Sequence, residues 1–148
     1  IKEVSAEKKI LFFDCGANFG FYSLFVASLN KENKVHSFEA STHTFNDLKR
    51  NIEINNFQFI RPYNLAISNT KNLDMEFNES KNDWESSILK NNFDILKTIR
   101  IKTTTIDHIL ECLAKLEEVE YLFLIFLNLF HYIFGIGYIH FYLIKLFF

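Results

Sequence analysis

Apolar runs alternate with segments of helical periodicity through the first 64 residues. Ile10-Leu11-Phe12-Phe13 has four consecutive apolar residues, which is typical of a strand buried on both faces of a parallel sheet. A turn over residues 14–20 follows, and apolar residues then recur at helical spacing as far as Asn30. The pattern therefore predicts a buried strand, a turn and an amphipathic helix.

The same alternation continues after this first unit. Lys34–Glu39 alternates apolar and polar residues and predicts a second strand. Either Thr42 or Thr44 is expected to cap the next helix, with Asp47 completing a capping box on Thr44, and residues 58–64 predict a third strand. This order of strands and helices predicts an α/β fold with a doubly wound, mostly parallel sheet and right-handed crossovers.

Residues 65–113 carry a weaker pattern. Period-two alternation over residues 73–77 and 98–102 predicts two antiparallel strands, each with one exposed face. The polar residues 78–92 predict a loop between these strands. Residues 104–107, Thr-Thr-Ile-Asp, resemble a helix start, and apolar residues continue at helical spacing as far as Leu113.

The composition changes abruptly after Glu120. Of the last 28 residues, 22 are Ile, Leu, Phe or Tyr, and Lys145 is the only charged residue among them. We therefore divide the chain into two predicted parts, a folded core over residues 1–116 and a hydrophobic tail over residues 117–148.

Charge and cysteine content exclude some classes of function. The formal net charge is −2, with 16 basic and 18 acidic residues, so the chain lacks the basic excess of a nucleic-acid-binding protein. Two cysteines do not make a disulfide framework, and the spacing of Asp and His predicts no metal site. No charged and then apolar leader precedes Lys8. We therefore expect a cytoplasmic protein, with membrane association through residues 121–144 as an alternative.

The turn after the first predicted strand carries the candidate chemistry. It reads Asp14-x-Gly16-x-Asn18-x-Gly20. Gly16 permits a tight turn at positive φ, and Gly20 lets the helix begin close to the sheet. The N-terminus of that helix presents backbone N–H groups and partial positive charge to an anion. Ligands of open α/β sheets bind at the carboxyl ends of the strands, where this turn lies.

A second candidate residue lies at the end of the second predicted strand. Glu39 follows Gly20 by 19 residues, and an acid at this place accepts hydrogen bonds from both hydroxyls of a ribose. A dinucleotide and S-adenosylmethionine both fit such a site. Asn18 stands where the dinucleotide fingerprint has its second glycine, whereas the ammonium and sulfonium of S-adenosylmethionine favour an acid such as Asp14. We therefore predict S-adenosylmethionine as the cofactor.

Several segments resemble the FkbM-type methyltransferases. They are residues 12–23 (FFDCGANFGFYS), 35–39 (VHSFE), 64–68 (NLAIS) and 104–107 (TTID), so the resemblance covers about residues 9–113. It implies a Rossmann-like class I methyltransferase fold. It also implies an S-adenosylmethionine-dependent enzyme that methylates an oxygen of a sugar or of another small molecule.

The resemblance further implies roles for individual residues. The methionine end of the cofactor would lie against the turn, that is against Asp14, Gly16, Asn18 and Gly20. Glu39 would bind the ribose, and Ala40 and Ser41 would flank the adenine. No residue is implied as the catalytic base.

The chain departs from the family pattern after residue 113. The family continues with a strand that ends in an Asp-x-Glu-Gly element, whereas Glu117–Phe126 occupies this place and no such element follows. We therefore expect a fold that is incomplete at the C-terminus, with an inactive fragment as one outcome. The alternative function is a membrane-tethered or non-catalytic α/β module that binds a nucleoside.

Three interpretations of the hydrophobic tail are open. Tyr121–Ile144 is a run of 24 uncharged residues, which is long enough to span a bilayer as a helix. Alternatively, residues 121–127 are a truncated fourth core strand. The third interpretation, which we favour, is a shift of reading frame near Tyr121. A/T-rich codons encode Phe, Leu, Ile and Tyr, and such a shift explains both the composition and the missing element.

Overall fold

The computed structural model describes residues 9–80, 95–113, 121–126 and 140–145. In chain order the elements are β1 (Ile10–Cys15), α1 (Phe21–Leu29), β2 (Lys34–Phe38), α2 (Thr42–Ile54), β3 (Ile60–Tyr63), β4 (Ala66–Ile67), β5 (Asp74–Ser80), β6 (Ile95–Thr104), α3 (Ile106–Leu113), β7 (Tyr121–Phe126) and β8 (His140–Lys145). The two predicted strands of the middle region are thus β5 and β6. Residues 78–80 of the predicted loop belong to β5, and its residues 81–92 lie outside the described part.

A five-stranded sheet has the order β3-β2-β1-β7-β8. β1 pairs in parallel with both β2 and β7, β2 pairs in parallel with β3, and β8 runs antiparallel to β7. This confirms the predicted α/β fold with a parallel sheet. Since β2 and β7 lie on opposite sides of β1, the strand order reverses at β1, and a crevice is expected at its carboxyl end.

Helices cover both faces of this sheet. On one face, Phe12 and Val35 pack with Val26 of α1 and Leu48 of α2. On the other face, residues of β1 and β2 pack with Ile109 of α3. Every residue of β1 is buried, which confirms the strand predicted from the apolar run at Ile10. Each large apolar side chain buried in this way contributes roughly 1.5–3 kcal/mol to stability.

Burial along the second strand and the first helix differs from the predicted pattern. β2 alternates in sequence, yet His36 and Ser37 are buried like their neighbours, because helices cover both faces of the sheet. His36 Nδ1 lies 3.0 Å from the hydroxyl of Tyr63, which satisfies a polar atom inside the sheet. Phe25 of α1 is exposed, and the buried positions of this helix are Ser23, Val26 and Ala27.

A smaller sheet lies beside the loop that follows β2. Its order is β4-β6-β5, with β4 parallel and β5 antiparallel to β6. The antiparallel pairing confirms the prediction for residues 73–77 and 98–102. Ala66, Phe77 and Ile101 form its buried apolar cluster, and Ala40 packs against them.

The hydrophobic tail contributes two strands to the main sheet. Tyr121 pairs with Ile10 and Phe126 with Cys15, so β7 lies in parallel beside the whole of β1. This is the arrangement of the core-strand interpretation. It differs from a single spanning helix, because both described parts of the run, β7 and β8, are strands. Among the described residues, no helix has the length and apolar character needed to cross a membrane.

Candidate active site

Three residues with positive φ build the turn between β1 and α1. They are Gly16 at 80°, Asn18 at 52° and Gly20 at 94°. The N–H of Gly16 donates to the carbonyl of Phe38 over 2.8 Å, and the N–H of Ala17 donates to the same oxygen over 3.0 Å. These two bonds attach the turn to the end of β2, so the candidate residues of the two strand ends lie at one edge of the sheet.

Gly20 sets the distance between α1 and α2. A Cβ atom at this position would lie 2.5 Å from Cδ1 of Leu48, a buried residue of α2. Gly20 is also the N-cap of α1 and lies in the left-handed region, which glycine adopts without a steric penalty. Glycine at this position therefore lets the N-terminus of α1 lie close to α2, so the close neighbour is a helix, whereas the sequence predicts close approach to the sheet.

Asp14 is a fully buried acid at the end of β1. The hydroxyl of Ser23 in α1 donates to its Oδ2 over 2.6 Å and lies 2.7 Å from the hydroxyl of Ser37. Its other oxygen, Oδ1, is buried and has no hydrogen-bond partner among the described residues. Burial raises the pKa of Asp14 to about 6, although hydrogen bonds from Ser23 oppose the shift. Asp14 thus offers one unsatisfied acceptor, whose desolvation favours a positively charged partner.

Glu39 joins the two candidate segments. Its Oε2 accepts the N–H of Asn18 over 2.8 Å, and its Oε1 accepts the N–H of Ser41 over 2.8 Å. The side chain of Asn18 does not take part, because its Oδ1 accepts the N–H of Phe19 over 2.7 Å. Each oxygen of a carboxylate accepts two hydrogen bonds. Glu39 therefore keeps acceptor capacity for the hydroxyls of a ligand.

The residue Glu39 is 8% exposed, and burial raises the pKa of its carboxyl to about 7. Hydrogen bonds from the backbone of Ser41, Asn18 and Ala40 lower the pKa, and the charge of Asp14 raises it further. The two acids thus interact electrostatically across the edge of the sheet. A ligand that donates hydrogen bonds to Glu39, or brings positive charge to Asp14, stabilises the ionised forms.

The backbone of residues 39–41 is held by a residue that the sequence analysis did not single out. Nδ2 of Asn64 donates to the carbonyl of Glu39 over 2.8 Å and to the carbonyl of Ala40 over 3.1 Å. Ala40 is half-buried against the small sheet. Asn64 follows β3 directly, within the segment 64–68 quoted above, but local sequence gives no sign of this contact.

Ser41 caps α2, which corrects the prediction of Thr42 or Thr44. Its Oγ accepts the N–H of Thr44 over 3.3 Å. Asp47 is the predicted partner of Thr44 in a capping box, but its Oδ2 lies 3.8 Å from Nδ1 of the exposed His43. The reason is that the helix begins earlier than either predicted cap requires, since Thr42 is already its first residue.

A buried acid of β5, Glu79, also lies at the start of α2, and no sequence pattern singles it out. Oε1 of Glu79, in β5, accepts the hydroxyl of Ser41 over 2.9 Å and the N–H of Thr42 over 2.7 Å. Burial alone would raise the pKa of Glu79, but hydrogen bonds from Ser41, Lys97 and the start of α2 outweigh it and lower the pKa. The sequence separation of 38 residues between Glu79 and Ser41 explains why no local pattern revealed it.

The structure thus places the predicted site residues at the carboxyl edge of β1 and β2. The chain matches the family model described as the methyltransferase FkbM domain over residues 14–124. The match begins at Asp14 and ends inside β7, so it includes every candidate site residue. The chain therefore belongs to the FkbM methyltransferase domain family, as the resemblance implied.

Comparison with solved structures gives a weaker similarity. A structure described as StiE O-MT residues 961–1257 shares 19% sequence identity with the chain, at a TM-score of 0.37. The similarity covers 46% of this chain and 24% of that one, so it spans about a quarter of the length of that structure. No curated protein matches the chain.

Proposed function

We propose that the chain binds S-adenosylmethionine at the carboxyl edge of β1 and β2. The observation that carries this proposal is the carboxylate of Glu39, which is buried and held by the backbone of Asn18 on one oxygen and of Ser41 on the other. The carboxylate, which has four acceptor positions, keeps acceptor capacity beyond these backbone donors. This arrangement suits the two hydroxyls of a ribose.

The chemistry of Asp14 supports the same cofactor. Its buried and unsatisfied Oδ1 fits a donor that carries positive charge, such as the ammonium of the methionine moiety. The N-terminus of α1 begins directly after the turn and favours the carboxylate of that moiety. In the proposed site, the turn residues Asp14, Gly16, Asn18 and Gly20 bind the methionine end. Glu39 binds the ribose, and Ala40 and Ser41 flank the adenine.

Two features argue against a dinucleotide. Asn18 carries a side chain where a pyrophosphate would need close approach of the backbone. In addition, the carboxylate of Glu79 occupies the N-terminus of α2 next to Ser41. A 2′-phosphate on the ribose, which NADP carries and NAD does not, would meet this negative charge at short range. A nucleoside without phosphate avoids both obstacles.

The reaction that we propose is O-methylation of a sugar or of another small molecule. S-adenosylmethionine supplies a methyl group on a sulfonium. A bond from the acceptor oxygen to this methyl carbon forms as the carbon–sulfur bond breaks, and S-adenosylhomocysteine leaves. Such an in-line displacement depends on positioning. Asp14 and Glu39 hold the methionine moiety and the ribose of the cofactor, and no residue is assigned as the base that takes the acceptor's proton.

We also propose the division of the chain. Residues 1–116 form the cofactor-binding core of a Rossmann-like class I methyltransferase fold. Residues 117–148 are the hydrophobic tail, which begins with a core strand. The pairing of β7 beside β1 supports the strand, while the sequence after Phe126 begins Leu-Asn-Leu and lacks an Asp-x-Glu-Gly element. The genomic sequence around codon 120, translated in all forward frames, tests this: a frame encoding that element supports a frame shift.

A second candidate function rests on the same buried carboxylate of Glu39, which suffices for nucleoside binding without a catalytic base. In this alternative the chain is a non-catalytic module that binds the nucleoside without turnover, with membrane association through residues 121–144 as a variant. The test uses S-adenosylmethionine with a labelled methyl group, a panel of sugars and hydroxylated small molecules, and the full chain. Labelled product supports the enzyme, whereas saturable cofactor binding without product supports the module. Retention in a membrane fraction after salt and alkaline washes would support the membrane variant.

A further inference from the structure

Glu79 is a buried acid on the small sheet, remote in sequence from every candidate site residue. It is 2% exposed, and its Oε1 accepts hydrogen bonds from the hydroxyl of Ser41 and the N–H of Thr42, with the N–H of His43 at 3.4 Å. Its Oε2 lies 3.1 Å from Nζ of Lys97 in β6. A carboxylate from β5 thus occupies the N-terminus of α2, where the helix dipole favours negative charge.

One residue, Ser41, connects Glu79 to Glu39, the acid that we propose binds the ribose. Ser41 donates its hydroxyl to Glu79 and its backbone N–H to Oε1 of Glu39. The same hydroxyl oxygen accepts the N–H of Thr44. Ser41 is therefore fixed in orientation, because both its hydroxyl and its backbone N–H have defined partners. A displacement of Ser41 would move a hydrogen bond that orients the carboxylate of Glu39.

The strand that carries Glu79 is itself adapted to this contact. The register of β5 against β6 shifts between Glu79 and Ser80, and such an irregularity re-aims a side chain relative to a regular strand. Two residues earlier in β5, Phe77 packs with Ile101 in the apolar cluster against which Ala40 packs. The small sheet therefore supports the loop of residues 39–41 through apolar packing and through the carboxylate of Glu79.

We propose that Glu79 is a positioning residue for ribose recognition, acting through Ser41 on the carboxylate of Glu39. This inference rests on the proposed function, because it assumes that Glu39 binds ribose hydroxyls. Glu79 does not touch the ligand. Its role is to keep Ser41, and with it the acceptor positions of Glu39, in the orientation that two vicinal hydroxyls require.

The test compares two ligands that differ only in the hydroxyls that Glu39 would bind. Adenosine and 2′,3′-dideoxyadenosine are titrated by calorimetry into the full chain and into Glu79→Gln. In the parent, adenosine should bind at least about tenfold more tightly, the worth of one charge-assisted hydrogen bond. In Glu79→Gln, the affinity for adenosine should fall about fivefold to tenfold, while the affinity for dideoxyadenosine, whose adenine Ser41 also flanks, should fall by no more than about twofold.

Two further variants complete the experiment. Glu76→Gln changes an exposed acid of the same strand and should leave both affinities as in the parent. Lys97→Gln removes the cation at Oε2 but keeps the acceptor for Ser41. If Glu79→Gln does not fold, Lys97→Gln takes its place. Its affinity for adenosine should then fall about twofold to threefold, with that for dideoxyadenosine unchanged.

The outcomes separate the two proposals. An equal loss of affinity for both ligands in Glu79→Gln, or an adenosine preference as large as that of the parent, overturns the positioning role and leaves the ribose assignment of Glu39 intact. A parent chain that binds adenosine and dideoxyadenosine equally overturns the ribose assignment, and the role of Glu79 falls with it. In each case thermal unfolding of the variant shows that the titrated protein is folded.

Discussion

The backbone N–H of Asn18 donates to Oε2 of Glu39 over 2.8 Å, which joins the glycine turn after β1 to the acid after β2. The bond uses one acceptor position of that oxygen, and Ser41 uses one of the other oxygen. Glu39 is therefore both a structural acceptor and a candidate ligand acceptor. This double role allows ligand binding and loop stability to be measured separately in the same variants.

Replacement of Glu39 tests the ribose assignment. Glu39→Gln keeps the shape of the side chain but removes the charge, so the affinity for S-adenosylhomocysteine should fall at least about tenfold. The amide also turns an N–H toward one of the two backbone donors, which should reduce the free energy of unfolding by about 1–3 kcal/mol. Calorimetry and urea denaturation measure the two effects. Glu53→Gln, on an exposed position of α2, is the control and should change neither.

The pH dependence of stability should reflect the burial of Asp14 and Glu39. Burial raises the pKa of Glu39 from 4.5 to about 7 and that of Asp14 from 3.8 to about 6. Between the ordinary and the raised pKa of each acid, the folded chain binds more protons than the unfolded chain. The free energy of unfolding therefore falls as the pH rises from about 4 to 7. Urea denaturation at several pH values measures this fall, and in Glu39→Gln its upper part, between about pH 6 and 7, should be smaller.

Ligand affinity should change with pH in the opposite direction. The ionised carboxylates are the stronger acceptors, so the affinity for S-adenosylhomocysteine should increase between about pH 5 and 8. Titrations across this range, with the parent and Glu39→Gln side by side, separate the contributions. An affinity that does not vary with pH would speak against the involvement of both acids.

Gly20 should tolerate no side chain. In Gly20→Ala the new Cβ would meet Leu48 Cδ1 at 2.5 Å, at a φ of 94°, so either the buried side chain of Leu48 or α1 itself must shift. We expect a loss of stability of about 1–3 kcal/mol, measured by urea denaturation. Ser28→Ala, an exposed substitution on α1, should change stability by no more than about 0.5 kcal/mol. A Gly20→Ala variant as stable as this control would contradict the close packing.

Asn64 should matter for ligand binding although it does not belong to the predicted site. Asn64→Ala removes the donor to the carbonyls of Glu39 and Ala40, and the freed loop should bind S-adenosylhomocysteine about threefold to tenfold more weakly. Asn55→Ala is a matched control, since its Nδ2 also donates to a backbone carbonyl, that of Asn51, on an exposed part of α2. This control should bind as the parent does.

The sequence predicts those parts of the site that are determined by residues close together in the chain. The apolar run from Ile10, the glycines at 16 and 20 and the acid at 39 are each defined within a few residues, and parallel pairing of β1 with β2 suffices to bring them together. The predicted cap of α2, Thr42 or Thr44, is wrong because Ser41 caps this helix. Its hydroxyl is held by Glu79, a contact that no local pattern reports.

Contacts between distant segments account for the rest. Asn64, which follows β3, and Glu79 of β5 contact the loop of residues 39–41. Neither residue belongs to a sequence motif that indicates such a contact. The fourth parallel strand was one of three interpretations of the tail, because a run of Ile, Leu, Phe and Tyr fits a strand or a helix equally. Its pairing with β1 depends on the tertiary fold and is not visible in the run itself.

The central claim, that the edge of β1 and β2 binds a nucleoside cofactor without phosphate, is tested most directly by competition binding. The full chain is titrated with S-adenosylhomocysteine alone and then in the presence of NAD or NADP, with Glu39→Gln in parallel. The account predicts saturable binding that neither dinucleotide displaces and that weakens at least about tenfold in the variant. Displacement by NAD at a similar concentration, or equal binding by parent and variant, would contradict it.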